Sequence, residues 1–246
     1  MTILDAHIYA GESLFGQSQS IQQVLQSMDT CGIDQAVLIP NRPPQYDLWP
    51  ANLWTAAQAA LHPQRFFWAA RVDPWQKQTA LDQLARLHQE FGACGLLLHP
   101  WEELFQVSEA LVDPLMDYCQ QHGLWVMVEA GYPLLSHPLD IAELANRHPQ
   151  VKIIATHGLQ LDSAAFALTD AELAMRECPN LYMETSGMYA PENVENIVRD
   201  LGAERIIFGS HTPWLNQALE LERVRCLNLD ESQRQAVLGG NLLSMM

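Results

Sequence analysis

Short continuous apolar runs alternate along the whole chain with stretches whose apolar residues recur every three or four positions. The runs at 2–7 (TILDAH), 34–39 (DQAVLI), 66–72 (FFWAARV), 94–99 (CGLLLH), 124–129 (LWVMVE), 151–156 (VKIIAT), 180–185 (NLYMET) and 205–209 (RIIFG) predict eight strands. Most lack polar alternation, as expected for parallel strands covered on both faces. The segments between them predict helices at 20–31, 50–62, 76–91, 107–122, 138–147, 163–178, 190–201 and 215–225, with a last one at 230–239. Eight strand–helix units in 246 residues favour an α/β fold, a single (β/α)8 TIM barrel forming one domain over 1–246, above an open doubly wound sheet. No G-x-G-x-x-G follows the first strand and no P-loop occurs, so neither a dinucleotide nor a nucleoside triphosphate is expected.

Composition narrows the partners. The 29 acidic and 13 basic side chains give a net charge of −16, which repels nucleic-acid phosphates and anionic lipid. No apolar run approaches the roughly 18 residues of a membrane span, and "MTILDAHIYAG" has no basic segment ahead of its apolar residues. A cytoplasmic protein acting on a small molecule, without nucleic-acid or membrane partners, is the expectation. The five cysteines stand singly and form no C-x-x-C pair, which suits reduced thiols better than a disulfide framework or a thiolate metal site.

In a barrel of this kind the chemistry sits at the C-terminal strand ends. Strand 1 ends in Asp5, His7 and Tyr9, strand 4 in His99, strand 5 in Glu129, strand 6 in His157 and strand 8 in His211, so four of the nine histidines share one predicted face. Each alone is more simply a hydrogen-bonded strand cap; the set points to a common pocket. Ser186 in "ETSG" lacks a G-x-S-x-G elbow and is expected to cap its strand. His62, His88, His122, His137 and His148 fall in or beside helices or in loops and are expected to be solvated or capping groups.

The ordered set D-A-H, "GLLLHP", "VMVEAG", "IIATHG", "YMETSG", "IIFGSHTP" and a closing "GGNLL" resembles the amidohydrolase superfamily, in its compact branch of metal-dependent hydrolases and decarboxylases. The resemblance implies a (β/α)8 barrel with a divalent ion at its mouth, and it is compatible with a homodimer. The family pattern has D-x-H-x-H on strand 1, histidines ending strands 5 and 6, and an aspartate ending strand 8. Here Tyr9 stands in the place of the second histidine, Glu129 in that of the strand 5 histidine and His211 in that of the aspartate, while Leu97 stands where a lysine is common.

Two of these departures read as an exchange of carboxylate and imidazole between strands 5 and 8. His7, Glu129, His157 and His211 then make a three-histidine, one-carboxylate ligand set, suited to zinc first and to manganese or iron as alternatives. Asp5, two residues before His7, is expected on the same strand face as a further ligand, a partner orienting an imidazole, or the base that takes a proton from water. The catalytic expectation thus rests on Asp5 and His157.

Tyr9, Arg42, Arg71, His99, Trp101 and Trp214 are expected to contact substrate, with Trp49 and Tyr132 on the same wall and the arginines gripping a carboxylate. Arg71 has Asp73 as an alternative, structural partner. The implied activity is metal-assisted hydrolysis of a small ester, lactone or amide, or decarboxylation of a small carboxylic acid. A metal-free or inactive barrel that binds a small carboxylate is the competing reading.

Overall fold

The structure, a computed structural model, describes residues 2–161 and 166–246; positions 163–165 of the helix expected at 163–178 lie outside the described residues. Its strands are β1 (Leu4–Ala10), β2 (Gln35–Pro40), β3 (Phe66–Trp68), β4 (Ala70–Arg71), β5 (Gly95–Leu98), β6 (Trp125–Val128), β7 (Ile153–Ala155), β8 (Leu181–Glu184) and β9 (Ile206–Ile207). Between them run α1 (Ile21–Cys31), α2 (Leu48–Leu61), α3 (Gln78–Phe91), α4 (Pro100–Glu103), α5 (Asp113–His122), α6 (Pro138–Arg147), α7 (Phe166–Glu177), α8 (Pro191–Leu201) and α9 (Gln217–Arg225). A short α10 (Glu231–Gln235) passes into a π turn at Ala236–Gly240, close to the helix expected at 230–239.

All strand pairs are parallel, in the orders β1-β2-β3 and β4-β5-β6-β7-β8-β9. The strand expected at 66–72 is thus split at Ala69, whose N–H still donates to the Leu38 carbonyl at 3.0 Å and carries the ladder across the break. Closure comes from Ala6 N–H to Phe208 O (3.0 Å), Tyr9 N–H to Thr212 O (2.9 Å) and a parallel bridge between Ile8 and Thr212. The ring is a (β/α)8 barrel.

Two apolar layers follow from strand alternation. Val37, Ile39, Leu97, Trp125, Met127, Ile154 and Ile207 fill the barrel interior, while Leu38, Leu96, Val126, Ile153 and Ile206 face the helices. Gly95 makes room for the largest interior side chain: a Cβ there would lie 2.5 Å from the Trp125 ring. Helix ends obey local chemistry. Ser20 and Gln23 form a capping box on α1, and Gly32 closes it in the left-handed conformation at φ 71.

Strand β1 departs from strict alternation. Its register against β2 slips between Asp5 and Ile8, so Leu4, Ala6 and Tyr9 belong to the interior, whereas Ile3, Ile8 and Ala10 face the helices. The bulge turns His7 inward with Tyr9 and leaves Asp5 on the outer side.

Candidate metal centre

Alternation above the interior layers sets the mouth. Trp125 and Met127 point inward, and so does Glu129; Leu97 is followed by His99, and Tyr182 by Glu184. His157 and His211 instead come from the loops that follow β7 and β9, both with left-handed backbones at φ 59 and 52. A non-glycine residue holds such a conformation only where its surroundings over-determine it.

Glu129 is the hub. Its Oε1 accepts from the Tyr9 hydroxyl at 2.6 Å and lies 2.9 Å from His7 Nε2 and 4.0 Å from His211 Nε2. Its Oε2 meets His157 Nε2 at 2.8 Å and accepts from Thr156 Oγ1 at 3.0 Å. The His7 and His211 rings stack at 4.5 Å, and His157 approaches His211 at 4.6 Å. His7 and Glu129 are fully buried, whereas 13% of the His211 side chain is exposed, so His211 forms the solvent side of the cluster.

His7, Glu129 and His211 each offer one ligand atom, all within 4.8 Å of one another. His7 Nε2 has no hydrogen-bond partner despite the oxygen 2.9 Å away. These two buried atoms converge with the His211 ligand nitrogen on one place. Two imidazole nitrogens and a carboxylate oxygen are also the donor set of a catalytic divalent site, with ligand distances of about 2.0–2.2 Å. The three residues therefore fit a divalent ion.

Electrostatics agree with a neutral-imidazole face toward solvent. Burial pushes the His211 imidazole well below its ordinary value, against the pull of Glu129. Burial also lowers His7, but Glu129 and then Glu184 outweigh it and hold that imidazole up at about 10. Glu129 resists its own burial because His7, His157 and His211 surround it, which keeps its carboxyl well below the usual range. The Tyr9 phenol is pushed up by burial and by Glu129, so it remains a donor.

Several expected residues lie elsewhere. His157 is not in the three-residue ligand group; its Nε2 is engaged by the far oxygen of Glu129, and its Nδ1 lies 3.1 Å from Ser186 Oγ. Asp5 is outside the cluster altogether: its oxygens accept from His7 N (3.1 Å), Ser210 N (2.9 Å) and Gln217 Nε2 (2.9 Å). The bulge in β1 is the reason, since same-face placement at a spacing of two holds only for a regular strand.

The arginines form no open carboxylate clamp. Fully buried Arg71 is paired not with Asp73 but with Glu102 (2.5 Å) and Glu103 (2.6 Å), and Arg42 reaches Glu103 at 3.3 Å and the Glu102 carbonyl. Two guanidinium charges against two carboxylates leave no net positive charge for an anion. Arg71 does keep Nε and Nη1 without partners.

His99 is buried and pushed down by burial and by Arg71. It faces Tyr9 and Tyr132, each at 6.5 Å. Trp101 stacks on Tyr132 at 5.5 Å, and Trp214 lies 6.2 Å from His211. Trp49, expected on the same wall, packs instead edge-on against Phe91 at 6.5 Å, beneath Arg86. A cleft of about 820 Å³ lined by Gln19, Asn41, Pro43, Pro50, Ala51 and Trp54 contains none of the cluster side chains.

One mouth residue was missed by sequence reasoning. Glu184 is fully buried, and its Oε2 lies 3.5 Å from His7 Nδ1. Its signal was its place at the end of a predicted strand, in the same position on that strand as Glu129 on its own. Among the helix-side histidines, His137 caps α6 and His88 meets the Tyr118 hydroxyl at 3.0 Å.

The solved structures similar to this chain share its fold. A 5-carboxyvanillate decarboxylase from Sphingomonas paucimobilis superposes with a TM-score of 0.80 at 16% identity, covering 99% of this chain and 98% of that one. A dihydroxybenzoic acid decarboxylase from a Polaromonas species, with bound manganese and the inhibitor 2-nitroresorcinol, gives 0.79 at 17% identity, over 99% and 96%. A 2,6-dihydroxybenzoate decarboxylase from Rhizobium gives 0.77 at 16% identity, over 100% and 98%. No curated protein matches the chain in sequence. The family model described as amidohydrolase matches residues 6–241, nearly the whole barrel and every residue of the cluster around Glu129, and the chain therefore belongs to the amidohydrolase family of enzymes.

Proposed function

We propose that the protein is a metal-dependent decarboxylase of a small, planar carboxylic acid, with the ion held by His7, Glu129 and His211. The observation that carries the metal is the convergence of one ligand atom each from His7, Glu129 and His211 within 4.8 Å of one another. When bound, a divalent ion supplies positive charge that fixes the substrate and stabilises the negative charge developing beside its carboxylate.

The chain's own groups favour decarboxylation over hydrolysis. Activating water needs a free base, and the carboxylates at or beside the described mouth are engaged. Glu129 is the hub, Glu184 lies behind His7, Asp5 is outside, and Glu102 and Glu103 pair with Arg71. Tyr9 and His157 hold Glu129 in place, and the Nε and Nη1 nitrogens of Arg71 are unused donors. Trp101 and Tyr132, parallel within 5°, offer a flat wall for a planar acid. The decarboxylase neighbours support this choice of reaction, and the manganese of one of them puts manganese beside zinc as the ion.

The test is release of carbon dioxide from a panel of hydroxylated aromatic acids, run beside a panel of esters, lactones and amides. Decarboxylation abolished by chelator and restored by Zn²⁺ or Mn²⁺ is the expected result. Turnover only of esters or amides would replace decarboxylation by hydrolysis. Turnover unaffected by metal removal would overturn the metal-dependent reading.

A further inference from the structure

Glu184 stands behind the proposed ligand set, and its surroundings are built for it. It follows Tyr182 by two on β8, so it points into the barrel in the same layer as Glu129. Across from it the chain carries Gly209, where a Cβ would lie 2.3 Å from Glu184 Oε1. Only the missing side chain lets the carboxylate in.

The carboxylate reaches three of the groups that shape the cluster. Oε1 accepts from Ser186 N at 2.6 Å. Oε2 accepts from Ser186 Oγ at 2.8 Å and from the His157 backbone N–H at 3.2 Å, and it lies 3.5 Å from His7 Nδ1, at the outer limit of a hydrogen bond. The bond to His157 N fastens a residue whose backbone is left-handed, followed by Gly158 and Leu159 at φ 58 and 57.

We infer that Glu184 is the positioning residue of the metal centre, holding His7 as the tautomer with hydrogen on Nδ1 and fixing the turn that delivers His157 to Glu129. A neutral imidazole carries one N–H, so His7 can offer an Nε2 lone pair to an ion only if Nδ1 keeps the hydrogen. Glu184 is the acceptor beside that Nδ1 among the described residues. A carboxylate accepting there orients the ring and raises the basicity of the ligating nitrogen. Ser186 completes the support by joining Glu184 Oε2 to His157 Nδ1. The inference rests on the metal-dependent reading above.

The experiment compares wild type, Glu184→Gln and Glu184→Asp, stripped by chelator and titrated with Zn²⁺ against a chromophoric competitor and with Co²⁺ by visible absorption. Glu184→Gln should weaken Zn²⁺ about 10- to 100-fold and alter the Co²⁺ bands, and Glu184→Asp, which keeps the charge, should recover part of the loss. A Glu184→Gln protein that binds within about threefold of wild type, with an unchanged Co²⁺ spectrum, overturns the inference and leaves the metal centre standing. Nitrogen NMR of Zn²⁺-loaded wild type with labelled histidine gives a reading that needs no variant. A protected His7 Nδ1–H is expected, and a hydrogen on Nε2 would overturn the assignment. Wild type that takes up none of Zn²⁺, Mn²⁺ or Co²⁺ would sink the proposed function and this inference together.

Discussion

His7 and Glu129 form a fully buried charge pair, at 2.9 Å between Nε2 and Oε1. In the metal-free protein the imidazole is held at about 10, because Glu129 and Glu184 outweigh its burial. An ion must therefore displace a proton to enter.

Metal uptake between pH 7 and 9 should release about one proton from His7, and apparent affinity should rise about tenfold per pH unit. Calorimetry in buffers of different ionisation enthalpy counts that proton, and a pH-independent affinity would put the ion elsewhere. Metal-free stability should change the opposite way. Since the folded value lies above the unfolded value of about 6.5, the stabilisation is complete below about 6.5 and is lost as pH rises through about 10.

Glu129→Gln and His211→Ala should each weaken metal binding by about 100-fold or more, beyond the usual loss from an outer partner. The double change should cost clearly less than the sum, because in the proposed ligand set both residues act on one ion. Glu129→His combined with His211→Asp restores the family arrangement and should bind more tightly than either single replacement. Additive losses without recovery, read by competition titration, would separate the two residues.

Gly209→Ala should destabilise the fold by about 1–3 kcal/mol, since its Cβ meets the Glu184 carboxylate and not the end of a flexible exposed chain. Adding Glu184→Asp withdraws the oxygen and should return part of the loss. Urea unfolding of the two single variants and the pair checks both statements, and equal losses with and without Asp would mean that the clash lies elsewhere.

Arg71→Met should cost about 3–5 kcal/mol in urea unfolding, because it strands Glu102 and leaves Glu103 with Arg42 alone beneath the mouth. Arg71 outweighs burial to hold Glu102 below the usual carboxylate range, and that support disappears with the guanidinium. Replacing Glu102 and Glu103 by glutamine in the same protein should recover much of the loss. A loss below about 1 kcal/mol for Arg71→Met would mean that water reaches these carboxylates.

The fold was legible because apolar runs without alternation can be satisfied only between two covered faces, and eight of them exhaust the chain. Helix α6 has the limits expected for it, 138–147. Glu129, His7 and His211 stood out as candidates because each lies at or just past the end of a predicted run. Asp5 was misplaced because a bulge leaves no mark in the pattern of residue types; only pairing with β2 shows it. The arginines were misjudged for a related reason. Glu102 and Glu103 sit in α4, after β5 and next to Trp101, and nothing in their spacing says that they fold back onto Arg71.

Asp5 acts as a clasp on the ring. It joins β1 to Ser210, 205 positions later, and to Gln217 at the start of α9, which in turn accepts from Ser27 of α1 at 2.6 Å. The seam where the first and last strands meet is therefore fastened by one side chain that holds Ser210, the residue preceding His211. A circular permutant opened within β1, or a chain begun after Asp5, would keep His7, Glu129 and His211 yet lose the fastening that fixes the His211 loop. Catalytic geometry in such a protein should fail before the barrel does.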